Sequence, residues 1–95
     1  MRQLTIQGRV QGVGYRAWVE HQARAHGLEG WVRNRRDGAV EALFAGPEEI
    51  VLTMVEACRQ GPPGARVDAV DQRDGTAEDL ALRRRGELFS VLATA

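Results

Sequence analysis

The stretch Glu29-Gly30-Trp31-Val32-Arg33-Asn34-Arg35-Arg36-Asp37-Gly38-Ala39-Val40-Glu41-Ala42-Leu43-Phe44-Ala45 decides the fold. Glu29 to Arg36 reads as extended chain. Side chains alternate across a strand, so Gly30, Val32 and Asn34 share one face and Trp31, Arg33 and Arg35 the other. Asp37-Gly38 is a tight-turn signal, because glycine accepts the positive φ that a short hairpin loop demands. Ala39 to Ala45 supplies the returning strand, with Val40, Ala42 and Phe44 on one face. A β-hairpin over 29–45 follows, and what flanks it sets the topology.

Upstream, Tyr15, Trp18, Val19, Gln22, Ala23 and His26 recur at spacings of three and four, which predicts an amphipathic helix from about Arg16 to His26. Gly27 suits the residue just past its end, and Leu28 can close the turn hydrophobically. Before the helix, Leu4, Ile6 and Val10 share strand parity, with Thr5, Gln7 and Arg9 between them. Gly8 has the inward parity and admits close approach by another element.

Downstream, Gly46 can cap a second helix, Pro47 suits its first position, and Glu48 and Glu49 suit its positive end. Ile50, Val51, Met54, Val55 and Cys58 form its apolar stripe, and Gly61-Pro62-Pro63-Gly64 stops it. Arg66 to Arg73 is a weaker strand, with Val67 and Val70 out of strict alternation. Asp74 to Gly86 is polar and reads as loop, and Leu88 to Leu92 as a short last strand.

The order βαββαβ, with a fifth strand optional, is the ferredoxin-like α+β sandwich. It predicts an antiparallel sheet of four to five strands with both helices on one face and water on the other. The chain of 95 residues fits one domain, 1–95.

Composition narrows the function. Formal net charge is zero, so no global field draws nucleic acid or anionic lipid. All 13 basic residues are arginine, which excludes lysine chemistry such as Schiff bases or a P-loop lysine. Cys58 is the single cysteine, it lies on a helical stripe, and it reads as a buried structural thiol. No Cys/His cluster has zinc spacing, so no metal is expected. With no apolar signal core and no membrane-length run, the expectation is a soluble, cytoplasmic protein and, at this size, a monomer.

The loop Gly8-Arg9-Val10-Gln11-Gly12-Val13-Gly14-Tyr15-Arg16 carries the chemistry. It runs from a strand end, through glycines, to an arginine at a helix start. Consecutive backbone N–H groups in such a loop can point into one concavity and hold an anion. The helix N-terminus adds unpaired donors and partial positive charge. The Arg16 guanidinium adds a planar fork for a phosphate or carboxylate. Asn34, the one asparagine, ends the second strand on the inward face, where an unsatisfied carboxamide costs ~1–3 kcal/mol. In this fold that strand end and the loop can share one sheet edge, which would bring Asn34 beside the anion. His21 and His26 lack an orienting carboxylate and read as surface or cap residues.

GRVQGVGYR, followed after an amphipathic helix by GLEGWVRNRRDGAVE, closely resembles the acylphosphatases. The resemblance is dense from Gly8 to Glu41 and extends loosely through the Gly46-Pro47 helix start and GPPGARVD to about Asp68. It implies a hydrolase that splits small acyl phosphates into a carboxylate and inorganic phosphate, with no metal or organic cofactor. It implies that Arg16 and the backbone amides of Gln11, Gly12, Val13, Gly14 and Tyr15 bind the phosphoryl group. It implies that Asn34 positions the attacking water. Inorganic phosphate or a similar anion would bind as product or inhibitor. The chain departs from the family at Tyr15, where phenylalanine is more usual, and at its end. The family commonly closes its last strand with an aromatic, a β-branched residue and an arginine, whereas this chain has Phe89-Ser90-Val91 followed by Leu92-Ala93-Thr94-Ala95.

Two rival functions fit the same fold. One is a non-hydrolytic anion or carbamoyl-phosphate sensing domain, against which the presence of both Arg16 and Asn34 counts. The other is an RNA-binding sheet, which stacks bases on strand aromatics. Thr5, Gln7, Arg9, Glu41 and Leu43 on the open face, with Trp31 the lone aromatic, make no such platform, and neutrality counts against it too.

Overall fold

The computed structural model describes residues 1–95. The elements run β1 (Arg2–Arg9), α1 (Tyr15–Ala25), β2 (Glu29–Asn34), β3 (Val40–Ala45), α2 (Glu48–Gln60), β4 (Arg66–Asp74), α3 (Ala77–Leu80) and β5 (Phe89–Val91). The sheet order is β4-β1-β3-β2-β5. This is the ferredoxin-like arrangement with a fifth strand added at the β2 edge. The hairpin pairs as its alternation requires, Val32 opposite Ala42 and Asn34 opposite Val40.

Leu4, Ile6, Val32, Val40, Ala42 and Phe44 face Val19, Ala23, Val51, Met54, Val55 and Cys58 in one buried cluster, so both long helices cover one sheet face. Helix α1 ends in a Schellman motif. Leu28 N–H donates to the Ala23 carbonyl at 2.9 Å and Gly27 N–H to the Arg24 carbonyl at 3.0 Å, which satisfies carbonyls the helix end leaves open. Helix α2 starts one residue later than the sequence suggests. Pro47 is its cap and accepts from Ile50 and Val51 N–H, both at 3.0 Å.

The misaligned valines of β4 have a physical cause. The β1–β4 register jumps between Gln7/Ala69 and Gly8/Val67, leaving Asp68 as an extra residue on β4. Such a bulge reverses side-chain parity. Val70 opposite Ile6 and Val67 opposite Gly8 therefore both turn toward the core. Gly8 is needed there, because a Cβ would collide with the Arg66 carbonyl oxygen.

Three expectations require correction. The sheet is mixed: β5 runs parallel to β2, with Gly30 opposite Phe89 and Val32 opposite Val91. The chain leaves β4 at one edge and must cross the whole sheet to reach the other, so it returns without a hairpin. Residues 74–86 are not wholly loop, for α3 lies within them. Thr76 and Asp79 close its start as a capping box, Asp79 N–H to Thr76 Oγ1 at 3.1 Å and Thr76 N–H to Asp79 Oδ2 at 3.0 Å. The far sheet face is not simply open to water. The crossing segment lies over it and buries Trp31 and Leu43. The Trp31 indole N–H donates to the Asp79 carbonyl at 2.7 Å, and burying each of these side chains contributes ~1.5–3 kcal/mol.

Candidate active site

The loop after β1 is shaped by Gly12 (φ 75°) and Gly14 (φ 79°), the latter standing just before α1. Only glycine adopts this left-handed region freely. A Cβ at either position would meet no atom within 4 Å, so these glycines are required by backbone conformation and not by crowding. From Gln11 through Ala17 no backbone N–H donates to a protein carbonyl, and the first paired amide is Trp18, to Gly14 at 3.1 Å. The loop and the first turn of α1 thus present a continuous run of free donors.

Tyr15 anchors this run. Its ring is buried against Trp18, centroids 5.5 Å apart, and its hydroxyl donates to the Cys58 carbonyl near the end of α2 at 2.7 Å. Burial raises the phenol pKa, so it stays a neutral donor. The Cys58 thiol is buried, and burial pushes it up to about 12. An un-ionised thiol is a poor nucleophile, consistent with a structural role.

A cleft of about 470 Å³ opens beside the loop. Its walls include Gly12, Gly14, Tyr15 and Arg16 from the loop and Asn34 from the end of β2. The half-buried Arg16 guanidinium takes part in none of the ion pairs of the protein. The Asn34 side-chain oxygen is buried and has no hydrogen-bond partner. The backbone of Asn34 is held by its pairing with Val40 and by Ala95 N–H, which donates to its carbonyl at 3.0 Å.

Two of the loop residues singled out in the sequence, Gln11 and Val13, do not line the cleft. The Gln11 side chain turns instead to the β2–β3 turn and donates to the carbonyls of Arg35 at 2.8 Å and Ala39 at 2.9 Å. Val13 packs against the core cluster. Sequence reading missed four wall residues, Val10, Ala17, Glu20 and Val91. Glu20 was findable, since it stands four residues beyond Arg16 on the same helix, and so was Ala17, three before Glu20, because positions three and four apart are neighbours on a helix surface. Val91 was not, because its place depends on β5 joining β2 in parallel.

The acylphosphatase family model matches residues 2–82. The chain belongs to the acylphosphatase family. It is 66% identical over 92 residues to an acylphosphatase of Bradyrhizobium diazoefficiens, covering 97% of this chain and 93% of that one. Among solved structures it is similar to the acylphosphatase of Bacillus subtilis, with a TM-score of 0.82, 36% identity and 96% of each chain covered. A second, from Coxiella burnetii, gives a TM-score of 0.82 at 30% identity, with 96% of this chain and 90% of that one covered. Family membership makes the protein a hydrolase acting on acid anhydrides. No helix is long and apolar enough to cross a membrane.

Proposed function

We propose that this cleft hydrolyses small acyl phosphates by direct attack of water on phosphorus, without a metal ion. One observation carries the reading. Residues with unpaired donors, namely Gly12, Gly14, Tyr15, Ala17 and Arg16, line one cleft with Asn34, whose side-chain oxygen is a buried acceptor without a partner. The donors match the phosphoryl oxygens, on which charge gathers during transfer. The acceptor matches a water molecule, which must donate a hydrogen bond to be held.

In this reading the amides of Gln11, Gly12, Val13, Gly14 and Tyr15 cradle the phosphoryl group, and Arg16 clamps two of its oxygens. The Asn34 carboxamide oxygen accepts from the attacking water and points a lone pair of that water at phosphorus. Asn34 is not a base. As the new P–O bond forms, the P–O bond to the acyl group breaks and the electron pair leaves on the carboxylate. The water proton passes to a phosphoryl oxygen, so the acyl phosphate and water become carboxylate and dihydrogen phosphate. A carboxylate is a good leaving group and needs no protonation. Positioning and electrostatics therefore suffice, and the lack of lysine and of a catalytic histidine is no obstacle.

The same reading takes the chain as one domain over 1–95, a cytoplasmic monomer with inorganic phosphate as product and competitive inhibitor. The single buried cluster shared by both long helices and the sheet supports the one-domain part. The deciding experiment is phosphate release from acetyl or benzoyl phosphate by the purified chain in excess chelator. Turnover that survives chelation is expected. Phosphate binding without turnover would replace this reading with the anion-sensing one.

A further inference from the structure

From Gln11 to Val13 the loop makes no backbone hydrogen bond, and it is first held at Gly14, whose carbonyl accepts from Trp18 N–H at 3.1 Å. Asn34 has the opposite problem. Its backbone is fixed in the sheet, but its side-chain oxygen has no partner to aim it. The chemistry proposed above requires a fixed spacing between the two. One side chain spans the gap.

We propose that Gln11 is a positioning residue: its side-chain amide sets the spacing between the phosphate loop and the Asn34 end of β2. This rests on the hydrolase reading. The Gln11 Nε2 has two hydrogens, and both are used, one on the Arg35 carbonyl at 2.8 Å and one on the Ala39 carbonyl at 2.9 Å. Arg35 directly follows Asn34. Arg35 N–H also donates to the Ala39 carbonyl at 2.8 Å, so Gln11 grips both sides of a turn that is already closed on itself. The turn is stiffened further by Ala39 N–H on Asp37 Oδ1 at 3.1 Å and by the Arg35–Asp37 ion pair at 3.0 Å. The loop is thereby tied to a rigid part of the hairpin adjoining the water-holding residue. Gln11 serves through its side chain as a strut, quite apart from its backbone amide.

The test uses Gln11→Met, which keeps the length and loses both donors, and Gln11→Glu, which keeps the shape and presents acceptors to two carbonyls. kcat and KM for acetyl phosphate, the inhibition constant of inorganic phosphate, and melting are measured on the full chain. Small misplacements of reacting groups can cost ~100-fold. For Gln11→Met, kcat should fall roughly 10–100-fold while phosphate inhibition stays within about threefold, because Arg16 and the loop amides remain.

The Gln11→Glu carboxylate faces two carbonyl oxygens, which raises its pKa. Its activity relative to wild type should be low at neutral pH and recover on acidification, as the protonated carboxyl regains one donor. Arg35, Arg36 and Asp37, the charged groups of the turn it meets, are present in both proteins, so their own titration cancels in that ratio. A wild-type kcat in folded Gln11→Met, or a Gln11→Glu ratio that does not change with pH, overturns the inference. The second criterion alone decides if Gln11→Met fails to fold. Inactive wild type overturns the hydrolase reading and this inference with it, whereas an active wild type with unaltered variants overturns only this inference.

Discussion

Two polar regions of the molecule differ in one respect. On the sheet face away from α1 and α2, the least exposed charges are paired. Glu41 is only 12% exposed and accepts from Gln3 Nε2 and Arg33 Nε, each at 2.9 Å. The Arg33 guanidinium also lies 4.8 Å over the Trp31 ring, and Arg73 meets Asp79 at 3.1 Å. In the cleft Glu20 is paired with Arg24, but two other groups are not paired. Arg16 has no counter-ion, and the Asn34 oxygen is buried with no donor. A buried unsatisfied polar atom costs folding free energy, so a fold retains one where something other than stability requires it. The pairs on the far face hold the structure together, whereas the unpaired Arg16 and Asn34 groups are the ones the proposed reaction uses.

The contrast predicts that cleft variants lose rate and far-face variants lose stability. Arg16→Ala should cost the most, more than ~10³ in kcat/KM with both terms affected, while melting changes little. Asn34→Ala should lower kcat by about 10²–10³ with KM less affected. Its melting temperature should hold or rise, since a buried unsatisfied acceptor is removed. Near-normal turnover in either folded variant would break the comparison at its functional end. Glu41→Ala should do the opposite and lose ~2 kcal/mol of unfolding free energy in denaturant, with kcat within a few-fold of wild type. A Glu41→Ala protein that melts as wild type would break the structural end.

Tyr15→Phe sharpens the boundary between the two. The Cys58 carbonyl lies in the last turn of α2 and takes its hydrogen bond from the Tyr15 hydroxyl. Removing that donor leaves a buried acceptor unpaired, so ~1 kcal/mol of stability should be lost in a denaturant melt. The hydroxyl ties the two long helices together. Unchanged stability would mean that the carbonyl finds another donor, which would remove this reason for the tyrosine.

Legibility in the sequence tracks how local each determinant is. The hairpin could be read from alternation and Asp37-Gly38, the end of α1 from Gly27-Leu28, and the anion loop from its glycines and Arg16, because each is decided within a few residues. The two valines of β4 looked irregular because their cause, the bulge at Asp68, exists only once β4 pairs with β1. Trp31 and Leu43 were expected at an exposed face because their cover comes from residues far along the chain that cross the sheet. The site divides the same way. Arg16 and Asn34 could be marked by residue type and position, whereas the Gln11 side chain had no visible role until the turn it grips was in place.

The smallest expected effect concerns that crossing segment, the least local part of the fold. Asp79 joins it to the sheet twice, through its carbonyl on the Trp31 indole and its carboxylate on Arg73. Hydrogen bonds from Arg73, and then from Thr76, hold its carboxyl below the ordinary aspartate range. A lowered folded-state pKa means stability that is fully present above the ordinary value and is lost as pH falls through the lowered one. Acidification should therefore loosen α3 from Trp31 before the sheet itself melts. Trp31 fluorescence in a Trp18→Phe background would report it as an early, shallow change. Asp79→Asn should show a looser segment at neutral pH and lack that acid-dependent step. If Asp79→Asn instead retains the wild-type acid transition, the carboxylate does not hold the segment down. The cover over Trp31 would then rest on apolar burial and the indole hydrogen bond alone, and the pairing that distinguishes this face from the cleft would end at Glu41.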